Sequence, residues 1–487
     1  MNLTHASGLL TLLLSAMLTS ACSTNPVTGK QDFVLMSEEQ EISLGRQYSN
    51  EIVKEIPVYD DPELTRLVQK IGEQVAANSH RPELIYRFTV LDSDQVNAFA
   101  LPGGYIYITR GMMAYLNSEA ELAAVLGHEI GHVTARHSVR QHGTATMTGL
   151  LGAVLSASTG IQGAGDLSRL AGTAIVRGYG REHELEADRL GAEYLAKSGY
   201  DPEGMLRVVG ILKNQEAFDK RLAKEEGREP RAYHGLFSTH PDNDKRLQEV
   251  IAAAGKFRQT DTARNGRESY LRAIDGLVFG DSEREGITRN GRFYHRDLDF
   301  ALTFPAGWRI ENKSDRVLAI APKNEGIVQL TTADLNKRIS PQAFMLQRMK
   351  LRNIRSGKAI RVGGLEGYTA IANGKTPWGT RRVRYTVLFR GDKAWIFAGA
   401  AKNRNEFQNY ESAFLDTVES YHALTGQEKK LAAGKRIGLV TTTPRTRYSD
   451  LARKSPVTHL AEDQLRLLNG HYPNGEPAAS GLIKIVR

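Results

Sequence analysis

The chain has 487 residues, 24% of them charged, and a net charge of +9. That length accommodates two to four domains with cores of their own, and the ordinary hydrophobic content excludes a disordered, fibrous or multi-spanning protein. Lys and Arg are interspersed with Asp and Glu instead of being clustered with aromatics, which argues against a nucleic-acid surface and for a solvated basic one, attraction to anionic lipid or cell-wall polymer being the alternative.

Met1 to Ala21 holds no Asp, Glu, Lys or Arg, and its run GLLTLLLSAMLTSA is too short and too poorly flanked for a membrane span, so it reads as the core of a signal peptide. Cys22, the only cysteine, follows at once, and with no second thiol there is no internal disulfide to form. Thr19, Ser20 and Ala21 before Cys22 resemble the lipobox of bacterial lipoproteins, with Thr19 where Leu is usual and His5 the sole basic group upstream. The resemblance implies cleavage before Cys22, acylation of its thiol and stable membrane anchoring; Ser23 then fits sorting to the outer membrane of a Gram-negative cell. An ordinary cleaved signal with an incidental thiol is the alternative.

STNPVTGKQDFVL, residues 23–35, reads as an extended tether, and helical periodicity begins near Ser37 and runs to about Lys256. One hairpin interrupts it: FTVLDS (Phe88 to Ser93) is followed by Asn97–Leu101 and Tyr105–Thr109, with Pro102, Gly103 and Gly104 turning the chain. Between Gly143 and Gly180 a Gly-, Ala-, Ser- and Thr-rich stretch predicts one or two closely packed small-residue helices, or alternatively a lid or membrane-touching element. Ala254 to Tyr270 looks like a linker. Beyond it DFALTFPAGWRI, RVLAIAP, GIVQLTTADL, GGLEGYTAIAN and TRRVRYTVLFRGDKAWIFAGAA predict strands of an antiparallel sheet, with helices around Ser340–Arg355 and Asn405–Val418. The last sixty or so residues, strand, two short helices, the turn Leu467–Gly470 and a strand Leu482–Val486, resemble a LysM carbohydrate-binding module without its usual Gly-Asp-Thr; a packing appendage to the preceding domain is the alternative.

Ser118 with Glu121 forms a capping-box signature that starts a helix at NSEAELAAVLGHEIGHVTARHSVRQ, and no proline interrupts it, so one long helix is expected. His128 and His132 then lie on one face, close enough to share a metal, with Glu129 beside them to take a proton from an activated water. The bare pattern HExxH also arises by chance in long chains, so further ligands decide the matter. GREHELEADRLGAEYL, Gly180 to Leu195, offers Glu184 and Asp188 four apart on a second helix, and a glutamate from another helix is what a three-ligand catalytic zinc site needs.

His128-Glu129-x-x-His132 followed by Glu184-Leu-Glu-Ala-Asp188 resembles the signature of the HtpX- and BepA-like zinc metallopeptidases, related to the CAAX prenyl proteases. The resemblance implies that Glu184 is the third ligand, Glu182 and Glu186 being the competitors, and that Asp188 orients a ligating imidazole. LDSDQVNAFALPGGYIYITRGMM resembles the hairpin before the active-site helix, which implies that Asn97, Ala98 and Phe99 border the cleft and that the edge strand pairs with an extended substrate. FSTHPDNDKRLQEV, Phe237 to Val250, resembles the family's THP element, which implies that His240 lies near the metal as a reversible fourth ligand or an oxyanion donor and that Arg246 positions it. His137, His142, His183 and His234 have no such context and read as solvated surface.

The expected fold class is α+β: a mainly helical zincin-type peptidase domain with a small β-hairpin over residues 37–256, a linker over 257–284, an antiparallel-sheet α+β domain over 285–425 and a LysM-like unit over 426–487, preceded by the signal peptide 1–21 and tether 22–36. The expected function is a zinc endopeptidase of the bacterial envelope with one Zn²⁺ per chain, His128, His132 and Glu184 as ligands and Glu129 as general base. Cleaved substrates would be unfolded or misassembled envelope proteins, peptidoglycan a further partner, and the chain a periplasm-facing, outer-membrane lipoprotein through Cys22. The competing readings are a chaperone-like or cell-wall-binding lipoprotein with a latent zinc site and, third, a peptidoglycan hydrolase.

Overall fold

The computed structural model describes residues 22–33, 36–141, 180–226, 252, 255, 263–289, 291–313 and 315–487. The chain forms two compact units, one of residues 1–279 with 436–487 and one of residues 280–435. Among the described residues no helix is long and apolar enough to cross a membrane.

The first unit opens with a short antiparallel pair, β1 (Cys22–Thr24) and β2 (Gln31–Phe33), where an extended tether was expected; the Asn25 side chain accepts from Val27 and Thr28 N–H and turns the chain between them. Helix α1 (Glu38–Glu55) starts in a full capping box between Ser37 and Gln40, and α2 (Pro62–Ala76) has Asp61 as N-cap with Pro62 in its first turn. The sheet consists of β3 (Arg87–Leu91), β4 (Ala98–Leu101) and β5 (Tyr105–Thr109) in the order β3-β5-β4, with β3 parallel and β4 antiparallel to the central β5. This is the hairpin read from the sequence, and it leaves β4 at the edge.

After α3 (Arg110–Tyr115) comes α4 (Glu119–Thr134), every residue of which is buried. A helix buried on every side belongs in a core, its polar side chains there needing partners, and α4 is the unit's central helix. Its cap differs from the expected box: Ser118 accepts from Glu121 N–H, but the Glu121 carboxylate reaches back to Asn117 N–H at 2.6 Å and not to Ser118. Nor is it one long helix. It stops at Thr134, Ala135 and Arg136 form a turn with Arg136 at φ 54°, and helical turns resume over 137–141. Arg136 is held there by Glu41 on α1, to which its Nε donates at 2.9 Å, while Arg81 Nη1 donates to the other oxygen of that buried carboxylate at 3.0 Å. Helices α5 (Arg181–Lys197) and α6 (Gly204–Glu226) pack on α4.

The segment read as a linker supplies a core element instead. Helix α7 (Arg267–Ala273) buries Tyr270 and Leu271 completely, and Tyr270 Oη donates to Met113 O at 2.7 Å; strand β6 (Val278–Phe279) follows. Among the described charges of this helix Glu268 is exposed, but Arg267 turns inward and donates to Asn117 O and Leu482 O, both at 3.3 Å.

The second unit is the expected antiparallel α+β fold. A meander of β7 (Ile287–Arg289), β8 (Arg292–His295) and β9 (Phe300–Thr303) precedes a seven-stranded sheet. Its strands are β10 (Arg309–Lys313), β11 (Arg316–Ile320), β12 (Gly326–Asp334), β13 (Arg355–Val362), β14 (Leu365–Thr376), β15 (Gly379–Arg390) and β16 (Lys393–Ala401), in the order β10-β11-β12-β16-β15-β14-β13. Helix α8 covers only Pro341–Gln347, not the expected Ser340–Arg355, because Lys350 and Asn353 take positive φ on the way into β13. Helices α9 (Phe407–Glu419) and α10 (Gly426–Leu431) close the unit.

The remaining residues return to the first unit. Strand β17 (Lys435–Thr441), helices α11 (Tyr448–Ala452) and α12 (Ala461–Leu468) and strand β18 (Leu482–Val486) have the β-α-α-β order read from the sequence, and their sheet runs β18-β17-β6. Tyr448, Leu465, Leu467, Leu468, Ile483 and Val486 sink into the core around α4, so this segment is packed into the first unit and does not append to the domain preceding it. Asn469 of the LLNG turn clamps β18 by bonding both Lys484 N–H and C=O at 2.8 Å. The fully buried Lys484 Nζ donates to Ala114 O and Leu116 O, both at 2.7 Å, at the end of α3 just before the cap of α4. Lys484→Met leaves those two buried carbonyls without their donor and is expected to cost about 3 kcal/mol of stability, read as a lowered denaturant midpoint of the full chain. An unchanged midpoint counts against the clamp.

Candidate active site

His128 and His132 stand one turn apart on α4, and Glu184 reaches them from α5. The two helices approach closely because glycines line the crossing: a Cβ at Gly191 would lie 3.0 Å from His128 N, and one at Gly131 would lie 3.0 Å from Ala187 O. His128 Nε2 and His132 Nε2 are 3.0 Å apart, and Glu184 Oε2 lies 3.5 Å from the first and 3.6 Å from the second. All three residues are buried. Ligands on a tetrahedral ion with bonds of about 2.0–2.1 Å stand about 3.3 Å apart, so these atoms describe one face of such a tetrahedron. Two imidazoles and a carboxylate are also a donor set that suits zinc.

Asp188, one turn beyond Glu184, places Oδ1 3.0 Å from His128 Nδ1. Burial disfavours charging His128, but the hydrogen bonds and charges of Asp188 and Glu184 override it and hold the imidazole well above its ordinary pKa. His132 is driven the other way, by burial first and then by His128 and His137. Glu129 is not among the convergent atoms. Its buried carboxylate accepts the Ala100 N–H of β4, and burial, reinforced by the charge of Glu184, pushes its pKa up to about 7 against the opposing effect of His128.

The other expected site residues are placed as follows. Thr109 N–H donates to Asn97 O, so in the alternation of an antiparallel pair Asn97 and Phe99 turn their peptide groups toward β5, while Ala98 and Ala100 turn theirs outward. Ala100, which sequence reasoning missed, is therefore the strand residue that meets Glu129; the alternation becomes readable only once the register is known. Ala98 and Ala100 are 4% and 6% exposed, so this edge is covered. Cys22 is the first residue of β1. His240 and Arg246 lie outside the described residues, as do His142, His234, residues 1–21 and most of the small-residue stretch.

Two histidines read as solvated surface are not. His137 is fully buried, with Nδ1 2.8 Å from His132 Nδ1 and Nε2 3.0 Å from Glu186 Oε2, and the half-buried His183 stacks on it at 4.3 Å between ring centroids. Glu186, a competitor for third ligand on sequence grounds, bonds instead with His137 and with Arg140 Nη1 at 3.0 Å. Its hydrogen bond from His137 lowers the carboxylate to about 2 despite partial burial. Glu182 is exposed.

The family model described as Peptidase family M48 matches residues 62–254. The chain is similar to the beta-barrel assembly-enhancing protease of Yersinia pestis, 30% identical over 284 residues that cover 55% of this chain and 56% of that protein. The protein of the same name from Escherichia coli K12 is 28% identical over 277 residues, covering 55% and 54% of the two chains. The mitochondrial metalloendopeptidase OMA1 of Arabidopsis thaliana is 31% identical over 226 residues, 45% of this chain and 43% of that one. The chain thus spans about half the length of the curated relatives it matches. The stretch that matches Peptidase family M48, residues 62–254, is the one in which α4 and α5 bring His128, His132 and Glu184 together beside Glu129.

Proposed function

We propose that the protein is a zinc endopeptidase of the bacterial cell envelope that cleaves unfolded or misassembled envelope proteins. The observation that carries this reading is the convergence of three ligand atoms within 3.0–3.6 Å, with Glu129 beside them but outside the triangle. His128, His132 and Glu184 would hold one zinc ion, with Asp188 fixing the His128 ring. When bound, zinc supplies Lewis acidity, lowering the pKa of water from ~15.7 toward ~7 and polarising a carbonyl. Glu129 accepts the proton that the attacking water gives up as its oxygen bonds to the scissile carbon, and returns it to the amine nitrogen as the C–N bond breaks. An extended substrate would lie along β4, pairing with the outward peptide groups of Ala98, and His240 with Arg246 would assist at the oxyanion.

Covalent lipid on Cys22 would tether the chain to the outer membrane, facing the periplasm. The similarity to proteases named for beta-barrel assembly supports envelope proteins as substrates, and the need for an extended chain at β4 supports unfolded ones. Burial of Ala98 and Ala100 favours a second reading, a chaperone-like or wall-binding lipoprotein whose zinc site is latent.

Metal analysis joined to a cleavage assay tests the proposal. Purified full chain should carry one zinc, degrade casein, lose that activity to a chelator and regain it with zinc. Because a ligand held only by the folded state stabilises it, chelation should also lower the unfolding midpoint; metal at 100 times Kd contributes ~2.7 kcal/mol. Absence of stoichiometric metal, or cleavage indifferent to chelator, overturns the reading.

A further inference from the structure

His132 is backed by a chain of groups to which the mechanism above assigns no role. Its Nε2 faces the ligand triangle, and a neutral imidazole that uses Nε2 as a lone-pair donor carries its proton on Nδ1. The atom opposite that proton is the Nδ1 of another imidazole, His137, at 2.8 Å. Beyond it His137 Nε2 lies 3.0 Å from Glu186 Oε2, an oxygen that Arg140 Nη1 also meets at 3.0 Å.

A carboxylate only accepts, so His137 Nε2 carries the proton of that ring and its Nδ1 presents a lone pair. That lone pair is the acceptor His132 Nδ1–H requires. One set of tautomers therefore satisfies every contact, running from Arg140 and Glu186 through His137 to His132. The turn at Ala135 and Arg136 is what makes this possible: on an unbroken helix His137 would point about 140° away from His132, too far round to sit behind it. The parallel His183 ring, 4.3 Å away, leaves His137 little room to rotate.

We propose that His137, oriented by Glu186 and Arg140, is a positioning residue that sets the tautomer and direction of His132 and thereby the affinity of the metal site, as Asp188 does for His128. This rests on the zinc reading given above. Outer partners of metal-bound histidines commonly govern 10–100-fold in affinity. Zinc affinity of the full chain, measured by competition with a chromophoric chelator, should fall about 10–100-fold in His137→Leu, which offers no acceptor. It should be restored to within a few-fold in His137→Asn, whose Oδ1 can stand near the place of Nδ1. Glu186→Gln, which weakens the orientation of His137 but not the acceptor, should fall between. A His137→Leu chain that binds zinc like wild type, or a His137→Asn chain as weak as His137→Leu, overturns the proposal while leaving the zinc site intact; wild-type protein that binds no zinc removes the site and the positioning role together.

Discussion

Glu129→Gln should yield a folded chain that still holds its metal but cleaves casein about 10²–10⁴-fold more slowly than wild type. The glutamine is of the same size and its Oε1 can still accept the Ala100 N–H, so β4 and α4 keep their relation. What it lacks is a carboxylate that takes up and releases a proton. Because Glu129 stands outside the triangle of His128, His132 and Glu184, metal stoichiometry should not change. Equal cleavage by the two proteins would remove Glu129 from the chemistry. Retained ability of the variant to protect or replace the wild type in cells would favour the chaperone-like reading.

Gly191→Leu is expected to dismantle the site without altering any ligand. A Cβ at Gly191 already stands 3.0 Å from His128 N and 3.2 Å from Gly127 C, and both neighbours are backbone that has no rotamer to yield. The larger side chain must push α5 from α4, and overpacking of this kind costs about 1–3 kcal/mol. Glu184 and Asp188 lie on the displaced helix, so zinc affinity should fall at least about tenfold, by the scale of lost outer-partner contacts alone. Gly210→Ala is the control. Gly210 lies within α6 with nothing in reach of its Cβ, and replacing a helix-interior glycine there should stabilise by roughly 0.5–1 kcal/mol. A Gly191→Leu protein with wild-type affinity would show that the crossing does not hold the ligands.

Periodicity and capping in the sequence were enough to set α4 with its two histidines, α5 with Glu184 and Asp188, the β4–β5 turn at Pro102–Gly104 and the antiparallel second unit. These features are local: the 3.6-residue and two-residue repeats, Ser118 as cap and turn glycines act within a few residues of themselves. The end of α4 is not local. Arg136 is neither glycine nor proline, and its positive φ is held by a carboxylate at Glu41, far back in the chain, so no nearby residue announces the break. His137 looked like a surface residue for that reason.

Other outcomes depended equally on distant partners. The charged segment around Tyr270 became a core helix because α3 offered its Met113 carbonyl, and the last strand joined the first unit because Lys484 found two carbonyls at the foot of α4. The sequence by itself thus determined which helices carry the reactive side chains and at what spacing. Only the tertiary structure decided how closely those helices cross, which histidine stands behind His132 and which peptide N–H meets Glu129, since each depends on groups brought together from far apart along the chain.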